Sequence, residues 1–209
     1  MPELPEVETV CATLRPLICG KTIQRVMVFR DKNILTGVED FVSHLPSRTF
    51  IDVRRRGKRL IFLLDDGSVI LSSLRMEGKY FYFAEPGERA KHDIVSFSFT
   101  DGSELVYNDT RKFGTLERFA SLPEAESKSS LAALGPEPFT LDAEAFFASL
   151  QKHSEPIKTA LLDQTLIAGI GNIYDNEALF AAKIHPLSPA NSLSFEEAKI
   201  LLEAIQDIL

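Results

Sequence analysis

Cysteine, long apolar runs and an excess of positive charge are all missing or scarce in this 209-residue chain. The two cysteines, Cys11 and Cys19, form no Cys-x-x-Cys pair, so they support neither a disulfide framework nor a zinc site. Cys11 reads as core packing and Cys19 as a turn residue. No apolar stretch approaches the roughly 20 residues that span a bilayer, and the acidic N-terminus does not resemble a secretory signal. The expectation is a cytoplasmic protein with no membrane association. The formal net charge of -7 has the wrong sign for a typical nucleic-acid-binding domain. The deficit is uneven: residues 1–118 hold 18 Lys and Arg against 17 Asp and Glu, whereas residues 119–209 hold 5 against 13. Any surface for a polyanion is therefore expected as a local patch, chiefly in the first half.

What is present is ordinary globular material, 44% hydrophobic and 25% charged, long enough for one large or two modest domains. Apolar residues from Val7 to Ile18 recur at helical spacing. Alternating and β-branched segments follow at 22–29, 50–56, 59–64, 68–74, 79–83, 93–99, 104–107 and 114–118. Asp65-Asp66-Gly67 and Asp101-Gly102 are tight-turn signals between strands. From Ser121 to Thr140 the chain is rich in Ser, Pro, Gly and Glu without a strong period. Beyond it the pattern is helical at 142–152, 156–163, 172–182 and from Ser194, where Glu197 completes a capping box. The expected fold is α+β and multidomain: an N-terminal helix packed on an eight-stranded β-sandwich, then an all-helical domain. The expected domains are 1–119 and 141–209, joined by a linker at 120–140.

Chemistry concentrates at the start. With Met1 removed, Pro2 exposes a secondary amine whose ordinary pKa of about 8 leaves a neutral, nucleophilic fraction near pH 7. Such an amine attacks an electrophilic carbon to give an iminium, the Schiff-base strategy usual for lysine. Glu3, the next residue, places a proton-transferring carboxyl beside it. The plainer reading of the same residues is a helix start, with Pro5 at the first helical position and Glu6 and Glu8 at the positive end of the dipole.

Met1-Pro-Glu-Leu-Pro-Glu-Val-Glu-Thr9 resembles the opening of the bacterial formamidopyrimidine-DNA glycosylases, the Fpg/MutM family. Leu4 points to its purine-repair branch rather than to endonuclease VIII. The likeness continues through Arg56-Gly57-Lys58-Arg59, Leu74-Arg75-Met76-Glu77-Gly78, Tyr107-Asn108-Asp109-Thr110-Arg111-Lys112-Phe113-Gly114, Leu134-Gly135-Pro136-Glu137-Pro138 and Gly169-Ile170-Gly171-Asn172-Ile173-Tyr174. These blocks arrive in family order between residue 1 and about residue 195. The resemblance implies a helix-two-turns-helix DNA-binding module at 141–209. It also implies excision of oxidised purines from double-stranded DNA, by a monomer, with strand cleavage by lyase chemistry.

The roles implied are specific. Pro2 is the nucleophile, Glu3 the proton shuttle, and Lys58 an active-site lysine near the damaged nucleotide's phosphate. An enzyme that extrudes a nucleotide must fill the gap it leaves. Met76 and Phe113 match the family's apolar wedges, and Arg111 matches the group that hydrogen-bonds the orphaned base. Without the resemblance, Met76 reads as core. His92, Lys158 and Asn172 match positions near DNA, with Asn172 and the amides of its Gly-x-Gly loop expected to grip a phosphate at a helix N-terminus. Glu6 matches the family's second glutamate, and Glu77 is a candidate for the base pocket. The run Arg54-Arg55-Arg56-Gly57-Lys58-Arg59 reads either as a solvated face or as salt-sensitive contacts to the DNA backbone.

Three departures stand out. Ser73 and Ile94 occupy positions where family members commonly have histidine. The last helix ends at Ile208-Leu209 with no Gly, no basic last turn and no Pro, so it reads as cut. The family's base-covering loop and four-cysteine zinc finger are expected to be absent, leaving no metal or other cofactor in this chain. The chemistry implied needs no metal, so that loss would act through DNA positioning. A non-catalytic or truncated damaged-DNA-binding fragment is the alternative expectation.

Overall fold

The structure, a computed structural model, describes residues 1–209. The chain divides into two compact units, residues 1–2 with 6–132 and residues 3–5 with 133–209. The fold class is the expected one: a helix and two antiparallel sheets, then a helical module.

In the first unit, α1 (Leu4–Ile18) turns Val7, Cys11, Leu14 and Ile18 into the core, the spacing that places side chains on one helical face. Cys11 is fully buried and its thiol donates to Val53 O at 2.9 Å, and burial pushes its pKa up to about 11. Cys19 follows the helix, partly buried against the same core. The strands are β1 (Ile23–Val28), β2 (Phe50–Arg56), β3 (Arg59–Leu64), β4 (Val69–Ser73), β5 (Lys79–Phe83), β6 (Asp93–Phe99), β7 (Glu104–Asn108) and β8 (Thr115–Phe119). They pair as β1-β6-β7-β5 and β2-β3-β4-β8, all antiparallel. Phe50 sits at the centre, with Phe62, Phe97 and Phe99 edge-on to it at 5.7–6.0 Å.

Two short helices were not legible in the periodicity: α2 (Val38–His44) and α3 (Leu122–Lys128). Seven residues are too few to establish a 3.6-residue repeat. α3 packs on β4 and β8, which accounts for β4 being buried on both faces. Residues 120–140, expected as an irregular linker, therefore contain α3 and a 3-10 turn at Pro138–Thr140, and they are shared between the two units. Their visible signal was Ser121, which caps Glu124 N–H at 3.3 Å while the Glu124 carboxylate accepts from Ala120 N–H at 3.0 Å.

The buried Tyr107 hydroxyl organises the loop end of this unit. It donates to Ser73 O at 3.3 Å and lies against two glycines. A Cβ on Gly78 would fall 2.2 Å from it, and a Cβ on Gly114 only 1.6 Å. The loops 74–78 and 109–114 can approach this ring only because both positions lack a side chain.

The second unit holds α4 (Ala143–Leu150), α5 (Ile157–Leu162), α6 (Asn172–Ala182) and α7 (Phe195–Ile208). Phe146, Leu150, Ile157, Leu161, Leu201 and Ile205 form the centre of its core. Ser194 and Glu197 make the expected capping box at the start of α7. No helix is long and apolar enough to cross a membrane. Asp175, in the first turn of α6, is fully buried with neither carboxylate oxygen hydrogen-bonded. Burial raises its pKa to about 6, with Lys158 opposing and Glu3 reinforcing the shift.

Gly114→Ala should therefore destabilise the protein by about 2 kcal/mol or more, read by urea denaturation. Tyr107→Phe should cost about 1 kcal/mol alone yet relieve part of the Gly114→Ala penalty. Additive losses would show that the hydroxyl is not what the glycine accommodates. For Asp175, the folded pKa of about 6 lies above the ordinary 3.8, so the native state binds the extra proton. Its contribution is least unfavourable below about pH 4, and stability falls as pH rises toward 6. Asp175→Asn should stabilise the fold above pH 6 by about 2 kcal/mol and change it little below pH 4, read by thermal melts across that range.

Candidate active site and nucleic-acid interface

Pro2 is half-buried, and Glu3, one peptide bond on, is only 2% exposed. The Glu3 carboxylate accepts the Gly171 N–H at 2.6 Å, the Ile173 N–H at 2.9 Å and the Tyr174 N–H at 3.3 Å. These amides open α6, where the helix offers free donors and the positive end of its dipole. The Leu4 N–H donates to Gly169 O at 3.0 Å. Gly169 has φ +99°, and a Cβ there would fall 2.7 Å from the Leu4 side chain, so only glycine serves. Gln164 braces the loop, its Oε1 accepting from Gly169 N–H at 3.0 Å and its Nε2 donating to Ile170 O at 2.8 Å.

This corrects one expectation. The amides of the Gly169–Asn172 loop were read as phosphate donors, yet the Gly171 N–H serves Glu3 and the Gly169 N–H serves Gln164, while the other two amides on Glu3 come from Ile173 and Tyr174. A carboxylate taken out of water needs those donors, and at residue 3 it reaches them without a ligand. The Asn172 side chain is exposed. Lys158 Nζ donates to Asn176 Oδ1 at 2.6 Å, and Asn176 Nδ2 donates to Asn172 O at 2.7 Å, so the two candidate DNA-contacting residues of this unit are linked through Asn176.

In the first unit the basic run forms the β2–β3 hairpin, with Gly57 at φ +54° and Arg56 paired with Arg59. Much of its charge is already matched. Arg54 pairs with Asp52 at 2.9 Å and Arg55 with Glu8 at 2.8 Å. Arg59 donates to Ser73 Oγ and Ser130 Oγ, both at 3.1 Å, and burial pushes its pKa below the usual guanidinium value. Ser73, where relatives were expected to carry histidine, is thus an anchor for Arg59. Lys58 sits half-exposed at the turn.

Met76, Arg111 and Phe113 lie on the two loops that meet at Tyr107. Met76 is 40% and Phe113 55% exposed, so neither is core. The Arg111 guanidinium stacks 5.1 Å from the Phe113 ring centroid. Both loops carry left-handed residues, Arg75 at φ +53° and Lys112 at φ +60°. Asp109, fully buried, holds the second loop by accepting the Arg111 N–H at 2.9 Å and the Gly114 N–H at 2.8 Å. Glu77 accepts the Thr110 hydroxyl, tying one loop to the other. His92 accepts the Asp109 N–H at its main-chain oxygen, while its buried Nδ1 has no partner. Glu6 and Glu77 are both exposed.

Sequence reasoning passed over Asp109, Tyr107, Asn33 and Gln164. The Asp109-Thr-Arg-Lys-Phe-Gly order is an Asx-turn signature that could have identified the first. Asn33 donates to Lys112 O at 3.1 Å across 79 positions, and no local pattern announces such a contact. No three His, Cys, Asp or Glu side chains converge as metal ligands would, and the Cys11 thiol is committed to Val53 O. The residues present do not fit a four-cysteine zinc site.

Residues 1–116 match the formamidopyrimidine-DNA glycosylase N-terminal domain, and residues 134–209 match the formamidopyrimidine-DNA glycosylase H2TH domain. A formamidopyrimidine-DNA glycosylase of Streptococcus pneumoniae is 49% identical over 201 residues, covering 95% of this chain and 72% of that protein. One from Lactobacillus helveticus is 44% identical over 211 residues, covering 100% and 76%. Lactococcus lactis Fpg (MutM) in complex with DNA containing N7-benzyl-Fapy-dG superposes with a TM-score of 0.93 at 39% identity, covering 99% of this chain and 77% of that one. The same protein with DNA containing an abasic site gives 0.92 at 39% identity, over 98% and 76%. On two matched domains and relatives at this identity, the chain belongs to the formamidopyrimidine-DNA glycosylase family.

Proposed function

We propose that this protein is a base-excision DNA glycosylase with apurinic/apyrimidinic lyase activity, acting on 8-oxoguanine and formamidopyrimidines in duplex DNA. The observation that carries the reading is the buried Glu3 carboxylate, oriented by three α6 amides and joined through one peptide bond to Pro2. A merely structural N-terminus has no need to bury a carboxylate at residue 3.

Once Met1 is removed, the Pro2 nitrogen attacks C1′ of an extruded nucleotide. The N–C1′ bond forms and the glycosidic bond breaks, its electron pair leaving with the base. Glu3 delivers a proton to the sugar ring oxygen as the ring opens to the iminium, then relays protons. The iminium acidifies C2′–H, so the 3′ phosphate and afterwards the 5′ phosphate are eliminated. Lys58 and His92 serve as phosphate contacts in the first unit, Lys158 and Asn172 in the second. Met76 and Phe113 fill the vacated stack, and Arg111 pairs with the orphaned base. DNA-bound Lactococcus lactis Fpg, at 39% identity, supports damaged DNA as the partner.

A second reading, a damaged-DNA-binding protein without turnover, is favoured by the 5 basic against 13 acidic residues beyond residue 118. Borohydride trapping on an 8-oxoguanine:cytosine duplex separates the two, with intact mass confirming that Pro2 is the N-terminus. A covalent adduct is expected. Pro2→Gly and Glu3→Gln should each form it at least about 100-fold more slowly while still binding the duplex. Binding with no adduct from a processed chain would leave only the second reading.

A further inference from the structure

The outer face of the β1-β6-β7-β5 sheet carries a cavity of about 440 Å³, within the range of small-molecule sites, and no residue given a role above lines it. Its floor is one rung of the sheet: Met27 opposite Ser96, Ser96 opposite Val106, and Val106 opposite Phe81. The next rung adds Glu104 opposite Phe83. Gly87, Glu88, Arg89 and Ala90 also line it, and the Ala90 N–H donates to the Asp93 carboxylate at 2.7 Å. Although this face points away from the core, Ser96 is 2% and Glu104 8% exposed.

One buried polar group there lacks a partner, and the carboxylate beside it lacks a cation. The Ser96 hydroxyl has no hydrogen-bond partner. Glu104 has no ion pair, and its one hydrogen-bonding neighbour is the Ser98 hydroxyl at the limiting distance of 3.5 Å. Glu104, 8% exposed, keeps its carboxylate at the cavity with no cation on it, which suits a cationic donor. The walls above it are aromatic, with Phe81 and Phe83 stacked at 6.4 Å and each more than 40% exposed. Arg89 is held over the Phe29 ring at 4.2 Å, at the rim. Aromatic walls favour a flat, positively charged guest over a neutral one of the same shape.

We propose that this cavity binds a small aromatic cation bearing N–H donors, an amidinium or protonated amino-heterocycle, with Glu104 as counter-ion, Ser96 as acceptor and Phe81 and Phe83 as stacking walls. The site is independent of the Pro2 chemistry.

Benzamidine titrated into the 15N-labelled 209-residue chain is the test, with neutral benzamide as the isosteric control. Benzamidine should give saturable shifts at Ser96, Glu104, Val106 and Phe81, with a Kd of about 1 mM or tighter, and benzamide should bind at least about tenfold more weakly. Glu104→Gln, which keeps the volume and removes the charge, should erase that difference, and Phe81→Ala should weaken both. Equal binding of the two probes, unchanged benzamidine affinity in folded Glu104→Gln, or shifts that never saturate would overturn the proposal.

Discussion

A carboxylate at residue 3 with 2% exposure is the constraint on which the candidate chemistry depends. Leaving such a group unpaired would cost several kcal/mol, so the amides that receive it have to be in place whenever the fold is. Three of them come from the opening of α6, and their positions depend on Gly169 and Gln164 in turn. The arrangement uses one feature twice. The helix start that would otherwise seek an anion from solution is satisfied from within the chain, and the satisfied carboxylate is held with little freedom. A group that relays protons gains from that restriction, because reorganisation is completed during folding rather than at the moment of reaction.

A comparable economy governs the two loops around Tyr107. Gly78 and Gly114 press on one hydroxyl, Asp109 holds the second loop's amides, and Glu77 reaches across to Thr110. The exposed Met76, Arg111 and Phe113 therefore project from braced backbone, not from loose loops. Exposing two large apolar side chains is unfavourable in isolation, and rigid support for them is what a wedge requires. Most sheet residues answer to burial. These answer to the loop geometry.

Sequence patterning carried the fold a long way because burial and periodicity are local. The eight strands follow from alternation, and α7 from its Ser194–Glu197 box. α2 and α3 escaped because seven residues hold too few turns to show a repeat, although Ser121 and Glu124 carried the α3 cap in plain view. Part of the site was legible for a different reason: its residues fall in short contiguous blocks. What was not legible is long-range. Glu3 meeting amides 168 to 171 positions away, and Asn33 meeting Lys112 O, are products of topology. That is why the Gly169–Asn172 loop read as a phosphate cradle when its Gly171 amide serves a carboxylate and its Gly169 amide a glutamine side chain.

Net charge misleads here for a related reason. A sum of -7 counts groups that share no surface. In the second unit, Asp142 caps α4, Asp163 accepts the Thr165 N–H, Glu155 pairs with His153, Glu197 closes the α7 box and Asp175 is buried. Conversely, Arg54, Arg55 and Arg59 in the dense basic run are occupied by Asp52, Glu8 and two serine hydroxyls. Fields from exposed charges fade within about 8 Å at physiological salt, so a polyanion responds to the groups it meets and not to the total. Lys58 at its turn, Arg111 on its braced loop and Lys158 beside Asn176 are cations on separate, defined supports. A short basic run read from sequence overstates the first unit's attraction, and the overall acidity understates the second's.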